Sequence, residues 1–255
     1  VDLVIYPEND EDVEKILRSA FDNNVCLIPY GGGTNVSCAL SIPSDEERFV
    51  VSIDMSRMNK MISIDKENNL STFGAGIKGK DLEEILNKEG YTCGHEPDSI
   101  EFSTLGGWIS TNASGMKRSK YGNIEDIVVN YQLHTTKGVL KKNINTPRNS
   151  HGSGIDSLVF GSEGNYGLIS QATIKINKKP EVTEYQSIVF KNFEEGVEFM
   201  KDLTINHPDI IPSSIRLVDN RQFRFALALK PEKTTIESVK ENVKNFMLEN
   251  YYGFN

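Results

Sequence analysis

The run P-Y-G-G-G-T-N-V-S-C-A-L at residues 29–40 constrains this chain more than any other stretch, because it sets three consecutive glycines just behind the apolar residues Val25, Cys26, Leu27 and Ile28. Residues without Cβ reach positive φ and let a partner lie against bare backbone. Gly31, Gly32 and Gly33 can therefore turn their N–H groups toward one anion. Tyr30 precedes the glycines, Thr34, Asn35, Val36 and Ser37 follow them, and Thr34 and Ser37 add hydroxyl donors within the same turn. A phosphate or pyrophosphate suits such a loop; the other reading is a glycine loop kept only for a tight turn. Neither G-x-x-x-x-G-K-[ST] nor G-x-G-x-x-G occurs here, so a nucleotide held at this point needs further segments of the chain.

The 255 residues can bury a substantial core, as one large domain or as one domain plus part of another. The chain opens on Val1 rather than Met and stops at Asn255 after a helix-like segment, and it reads as a portion of a longer protein. A targeting signal missing from this window carries no weight. With 38% hydrophobic and 25% charged residues the composition is that of a soluble globular protein, and no apolar run approaches the roughly 18 residues of a membrane span. The net charge of -8 argues against nucleic acid as a partner, since such binders carry a basic face. Cys26, Cys38 and Cys93 show neither C-x-x-C spacing nor a His at metal-ligand intervals, and read as reduced, structural residues with no metal.

Along the chain, residues 1–6 read as a short strand closed by Pro7. Asn9 and Asp10 then precede Val13, Ile16, Leu17, Ala20 and Phe21, whose spacing predicts a helix with those side chains on one face, its acidic start complementing the dipole. Strands are predicted at 25–28, 49–53, 61–65 and 70–73, and a helix from Lys80 to Gly90 with Leu82, Ile85 and Leu86 inward. Residues 127–135 and 138–141 read as a hairpin turning at Thr136 and Lys137. Short strands and helices without a fixed repeat predict an α+β fold rather than a doubly wound sheet.

Two further regions are rich in glycine and hydroxyls. In residues 95–115, Ser99, Ser103, Thr104, Ser110, Thr111, Asn112 and Ser114 crowd around Gly106, Gly107 and Gly115. Ser and Thr compete with helix hydrogen bonds, so this density predicts a loop around a polar ligand, anchored by Leu105, Trp108 and Ile109 in the core. Lys117, Arg118 and Lys120 after it read as a solvated turn in preference to an anion site. Gly161, Gly164 and Gly167 form the third region, before a strand over 168–176; Glu163 there is a charged cap or a ligand contact, and Tyr166 either packs structurally or meets a ring. Beyond Pro180 the pattern predicts strands at 185–190 and 215–218, a helix over 193–203 with Phe193, Val197, Met200 and Leu203 on one face, and another over 235–247.

The segments P-Y-G-G-G-T-N-V-S, P-D-S-I-E-F-S-T-L-G-G-W-I-S-T-N-A-S-G-M and G-S-E-G-N-Y-G-L-I, in this order, resemble the FAD-binding domain of vanillyl-alcohol-oxidase-type flavoenzymes. Within that superfamily H-E-P-D-S at 95–99, G-W-I-S-T at 107–111, Y-G-N-I-E-D at 121–126 and S-I-R-L-V-D-N at 214–220 are most similar to the alkyldihydroxyacetonephosphate synthase family, over nearly the whole window. The resemblance implies a two-subdomain FAD-binding domain over 1–180 and, over 181–255, the truncated beginning of an α+β substrate-binding cap domain. It puts the FAD pyrophosphate on Gly31, Gly32, Gly33, Thr34, Asn35 and Val36, with Tyr30 and Ser37 beside them. Pro97, Asp98, Ser99, Ser103, Thr104, Gly106, Gly107, Thr111, Asn112, Ala113 and Ser114 would line the adenosine and flavin portions. Glu163, Gly164, Gly167, Leu168 and Ile169 would close the site. Asn165 and Tyr166 stand where relatives commonly have Thr-Leu.

Some relatives tether flavin through a His near the glycine loop; residues 31–40 contain none, so the resemblance implies noncovalent FAD. His95 is the one histidine inside a motif, with a structural role or a catalytic one open. The implied activity exchanges the acyl group of acyl-dihydroxyacetone phosphate for a fatty alcohol through a flavin-substrate adduct, without net oxidation. Arg216 on the 215–218 strand is the candidate for stabilising phosphate or the departing carboxylate, against an ion pair with Asp219. Other acid and base groups are expected from parts of the family's chain outside this window. Lipid substrates, peripheral membrane contact, a homodimer and a peroxisomal location are implied by the family alone. The rivals are a 2-hydroxy-acid dehydrogenase of the same fold and a flavin-binding module without turnover.

Overall fold

The structure, a computed structural model, describes residues 1–148, 150 and 154–229. The chain divides into two compact units, Val1–Glu181 and Val182–Asn255.

The first unit opens with strand β1 (Leu3–Ile5) and helix α1 (Asp10–Asp22). Asn9 starts α1 by accepting the Asp12 N–H at 3.0 Å, and three carboxylates occupy its first turn, where the dipole favours them. Val13, Leu17 and Ala20 are buried, but Phe21, expected beside them, is 61% exposed. It lies about 100° round the helix from Ala20, off the buried stripe, and carries the Lys137 ammonium 5.1 Å over its ring. Strands β2 (Cys26–Tyr30) and β3 (Val50–Asp54) complete a three-stranded sheet in the order β1-β3-β2. All its pairs are parallel, with Leu3 and Leu27 both opposite Val51. Val51 and Ile53 pack with Val13 and Leu17 in one core.

Next come β4 (Met61–Asp65), β5 (Leu70–Gly74), α2 (Gly79–Lys88), β6 (Tyr91–Thr92), and three short helices, α3 (Leu105–Ser110), α4 (Arg118–Tyr121) and α5 (Ile124–Ile127). The hairpin β7 (Val128–Thr135) and β8 (Gly138–Leu140), then α6 (Asp156–Val159), β9 (Leu168–Lys175) and β10 (Asn177–Lys178), finish the unit. A five-stranded antiparallel sheet runs β4-β5-β9-β7-β8, and β10 pairs with β6. Its inward residues Phe73, Tyr131, Leu133, Ala172 and Ile174 form the second core with Leu82 and Leu86 of α2 and Leu105, Trp108 and Ile109 of α3. Separate parallel and antiparallel sheets, each with helices, make the fold α+β as expected.

Residues 95–115 are not loop throughout, as their hydroxyl content predicts: α3 forms inside them. The Thr104 hydroxyl accepts the Gly107 N–H at 3.2 Å and caps it. Gly106 packs so closely that a Cβ there would lie 2.9 Å from the Ala75 Cβ, so tertiary contact outweighs weak helix propensity.

The second unit contains α7 (Phe193–Asn206) and α8 (Asn220–Ala228). Of the face read as Phe193, Val197, Met200 and Leu203, Phe193 and Val197 are exposed; the buried residue of α7 is Gly196, where a Cβ would lie 2.6 Å from the Leu217 side chain. No strand forms at 185–190 or 215–218. Residues 211–219 alternate half-buried and exposed, the period of a strand, yet a ladder needs a partner and neither segment has one among the described residues. The helix predicted over 235–247 lies outside the described residues.

Candidate functional site

The glycine loop leaves the end of β2 and lies directly on the second hydroxyl-rich region. A Cβ on Gly31 would sit 2.4 Å from the Thr104 hydroxyl oxygen, and one on Gly32 only 2.1 Å from the Phe102 carbonyl oxygen. These two glycines thus serve loop-to-loop contact, while Gly33, at φ +66°, supplies the left-handed turn. The third region is bonded to the second by Glu163 N–H to the Ser110 carbonyl at 2.8 Å and Gly161 N–H to the Ile109 carbonyl at 3.1 Å. It meets the first where Ser37 donates to the Glu163 carboxylate at 2.7 Å and where Gly164 packs against Pro29.

Between the three regions lies a cavity of about 410 Å³. Tyr30, Gly31, Gly32, Gly33, Thr34, Asn35, Val36 and Ser37 line it from the first region. Pro97, Ser99, Ser103, Thr104, Gly106, Gly107, Thr111, Asn112, Ala113 and Ser114 line it from the second, and Glu163, Gly164, Gly167, Leu168 and Ile169 from the third. Asp98 is not among the lining residues although both its neighbours are. Tyr166 is exposed and also outside the lining. Arg216 stands in the second unit, exposed and without a strand beneath it.

Ser110, read among the hydroxyls around a polar ligand, lines the cavity too, and Pro29, Ala39, Leu40, Met55, Ala75 and Trp108 line it without having been predicted. Pro29, Ala39 and Leu40 adjoin predicted residues. Met55, just after β3, and Ala75, just after β5, carry no polar signal and arrive through sheet topology alone. Trp108 is both core and wall: it is buried, and its indole N–H donates to Ser103 at 2.8 Å.

No backbone N–H in residues 32–38 finds an acceptor among the described residues. Donors left free on a glycine turn fit an acceptor-only anion. The hydroxyls of Ser99, Thr111 and Ser114 along the wall suit a polar ligand such as a ribose or ribityl chain. Among the described lining residues Glu163 carries the only charge. Of the cations that follow the second region, Lys117 pairs with Glu96, Lys120 lies 5.5 Å over the Tyr121 ring, and Arg118, itself outside the lining, donates at 3.3 Å to the wall residue Ser114.

His95 sits behind this wall. It is fully buried, edge-on to Trp108 at 4.7 Å, with neither ring nitrogen bonded among the described residues. Burial pushes its imidazole down to about 4, so it is neutral near pH 7. Cys93, buried beside it in sequence, has its thiol pushed up to about 12 by desolvation. All three cysteines are free thiols.

The family described as FAD binding domain matches residues 1–142. The chain belongs to that family. FAD is therefore the ligand that the three glycine segments were expected to hold, and the free donors on residues 32–38 fit its diphosphate. This FAD-binding chain is similar to "Alkyldihydroxyacetonephosphate synthase" of Caenorhabditis elegans, 46% identical over 254 residues, which is 99% of this chain and 42% of that protein. The Dictyostelium discoideum protein of the same name is 38% identical over 96% of this chain and 40% of its own length. A solved structure of alkyldihydroxyacetonephosphate synthase matches 95% of this chain and 43% of its own, with a TM-score of 0.85 and 37% identity. The resemblance read from the motifs is borne out, and the chain spans less than half the length of these relatives.

Proposed function

We propose that this protein makes the ether bond of ether lipids, replacing the acyl group of acyl-dihydroxyacetone phosphate by a fatty alcohol and releasing a fatty acid. The observation that carries this reading is the 46% identity to a synthase of that name along 99% of the chain, covering all three cavity-forming segments.

In this reading FAD binds without a covalent tether, as the absence of His from residues 31–40 supports. When bound, the flavin ring supplies the nucleophilic and electron-accepting chemistry that neutral side chains lack. The chain's own residues orient it: backbone donors of the first loop hold the diphosphate, and the hydroxyls of the second order the sugar portions. Glu163, Gly164, Gly167, Leu168 and Ile169 close the wall and exclude water. Arg216 serves the substrate, its guanidinium offering a two-point match to phosphate or carboxylate. The division into a cofactor domain over 1–180 and a substrate cap from 181, the homodimer, the peroxisomal location and peripheral membrane contact belong to the same proposal.

The test is exchange of labelled hexadecanol into alkyl-dihydroxyacetone phosphate by the intact protein, with and without FAD. Flavin-dependent incorporation with release of fatty acid is expected. Absence of incorporation, with flavin reduced by D-lactate or glycolate, would establish a 2-hydroxy-acid dehydrogenase instead.

A further inference from the structure

The cavity presents an unusual problem for a ligand bearing two phosphates. Among the described lining residues there is no lysine or arginine, and the single charge, Glu163, has the wrong sign. On this wall a diphosphate meets neutral donors, and each such donor matters more than it would beside a cation. Backbone N–H groups of residues 32–38 are one set. Tyr30 offers another donor.

Tyr30 ends β2, in register with Asp54 of β3, and its ring folds back over the turn that follows. The position a Cβ would take on Gly33 lies 2.9 Å from the Tyr30 hydroxyl oxygen and 3.2 and 3.3 Å from its Cε2 and Cζ atoms. The ring therefore lies against the left-handed residue of the loop, walls the cavity there, and carries its hydroxyl to the rim of the free N–H groups. That hydroxyl has no hydrogen-bond partner among the described residues, and Tyr30 as a whole is 37% exposed. A phenol beside a ring of bare donors completes a site for an oxyanion.

We propose that the Tyr30 hydroxyl donates a hydrogen bond to the diphosphate of the bound dinucleotide, taking the place a cation fills at other phosphate sites. The inference rests on the FAD reading above and adds to it a named side-chain contact.

The experiment compares the intact wild-type protein with Tyr30→Phe, titrating each, freed of flavin, with FAD, ADP and riboflavin and recording the thermal midpoint of the flavin-free forms. Losing one neutral hydrogen bond predicts FAD and ADP affinities about threefold to tenfold weaker in Tyr30→Phe, with riboflavin affinity and the midpoint unchanged. Equal FAD affinity in the two proteins overturns the inference while leaving the cofactor reading intact. An equal loss for riboflavin also overturns it, because the ring rather than a phosphate contact would then be at stake. A wild-type protein that binds neither FAD nor ADP overturns both.

Discussion

Ser37 donates its hydroxyl to the Glu163 carboxylate at 2.7 Å, joining two exposed loops 126 residues apart in the chain across the rim of one cavity. Glu163 is held for this contact in a left-handed conformation, φ +49°, by its own N–H bonded to Ser110. The carboxylate is thus a latch, and it is the one charge among the described residues of a wall proposed to hold a diphosphate. Two substitutions separate these effects. Glu163→Gln keeps an acceptor for Ser37 and removes the charge; Glu163→Ala removes both. FAD affinity is expected to be equal or tighter in the Gln variant and about fivefold weaker in the Ala variant. Fluorescence titration decides, and an Ala variant that binds like wild type would show the latch to be idle.

Gly32 touches a backbone atom, and this makes its substitution informative. A Cβ would lie 2.1 Å from the Phe102 carbonyl oxygen, which cannot swing away as a side-chain end can. Gly32→Val should push the first loop off the second, cost about 1–3 kcal/mol of stability and empty the flavin site. Gly154→Ala, with no atom within 4 Å of the added carbon, is the control expected to do neither. The ratio of flavin to protein absorbance after purification reads the first effect, and the urea midpoint the second. Full flavin content in Gly32→Val would contradict the loop contact.

What the sequence made legible was local. The glycine runs, the alternation in residues 128–135 and the Asn9-capped stripe of α1 each encode their own geometry through φ preference, period two or period 3.6, and each appears in the structure. Met55 and Ala75 could not be found this way, because an apolar residue at a strand end carries no mark of the ligand-facing wall that other strands bring it to. The strands expected at 185–190 and 215–218 failed for the same reason, since pairing depends on a partner and not on the segment. Gly31 and Gly32 were read as room for an anion. The structure shows them as room for Thr104 and Phe102, and the backbone N–H groups of residues 32–38 have no acceptor among the described residues.

His95 gives the fold a pH dependence whose sign is fixed by burial. Its imidazole is neutral in the native state down to about 4 but titrates near 6.5 once unfolded. Below about pH 6.5 the unfolded chain therefore takes up a proton that the native protein refuses. The stability this lends is present above that pH and is lost as the pH falls toward about 4, at most about 3 kcal/mol. In urea titrations at a series of pH values, His95→Leu is expected to show a shallower decline over this window than wild type. Parallel curves would mean that the native imidazole is protonated together with the unfolded one.

Salt should distinguish neutral recognition of the cofactor from ionic recognition. A site built on Lys or Arg loses affinity for a phosphate as ions screen the pair, whereas backbone N–H groups and hydroxyls act only at contact. No lysine or arginine is among the described residues of the cavity wall, and the chain as a whole carries a net charge of -8, which repels an anionic ligand at long range. Screening then removes a repulsion without removing an attraction. Raising sodium chloride from about 0.05 M to about 0.5 M is expected to leave the FAD dissociation constant unchanged or up to about twofold tighter in isothermal titration. A tenfold weakening would require a cation brought to the diphosphate from outside the described wall, and would displace Tyr30 from the role given to it.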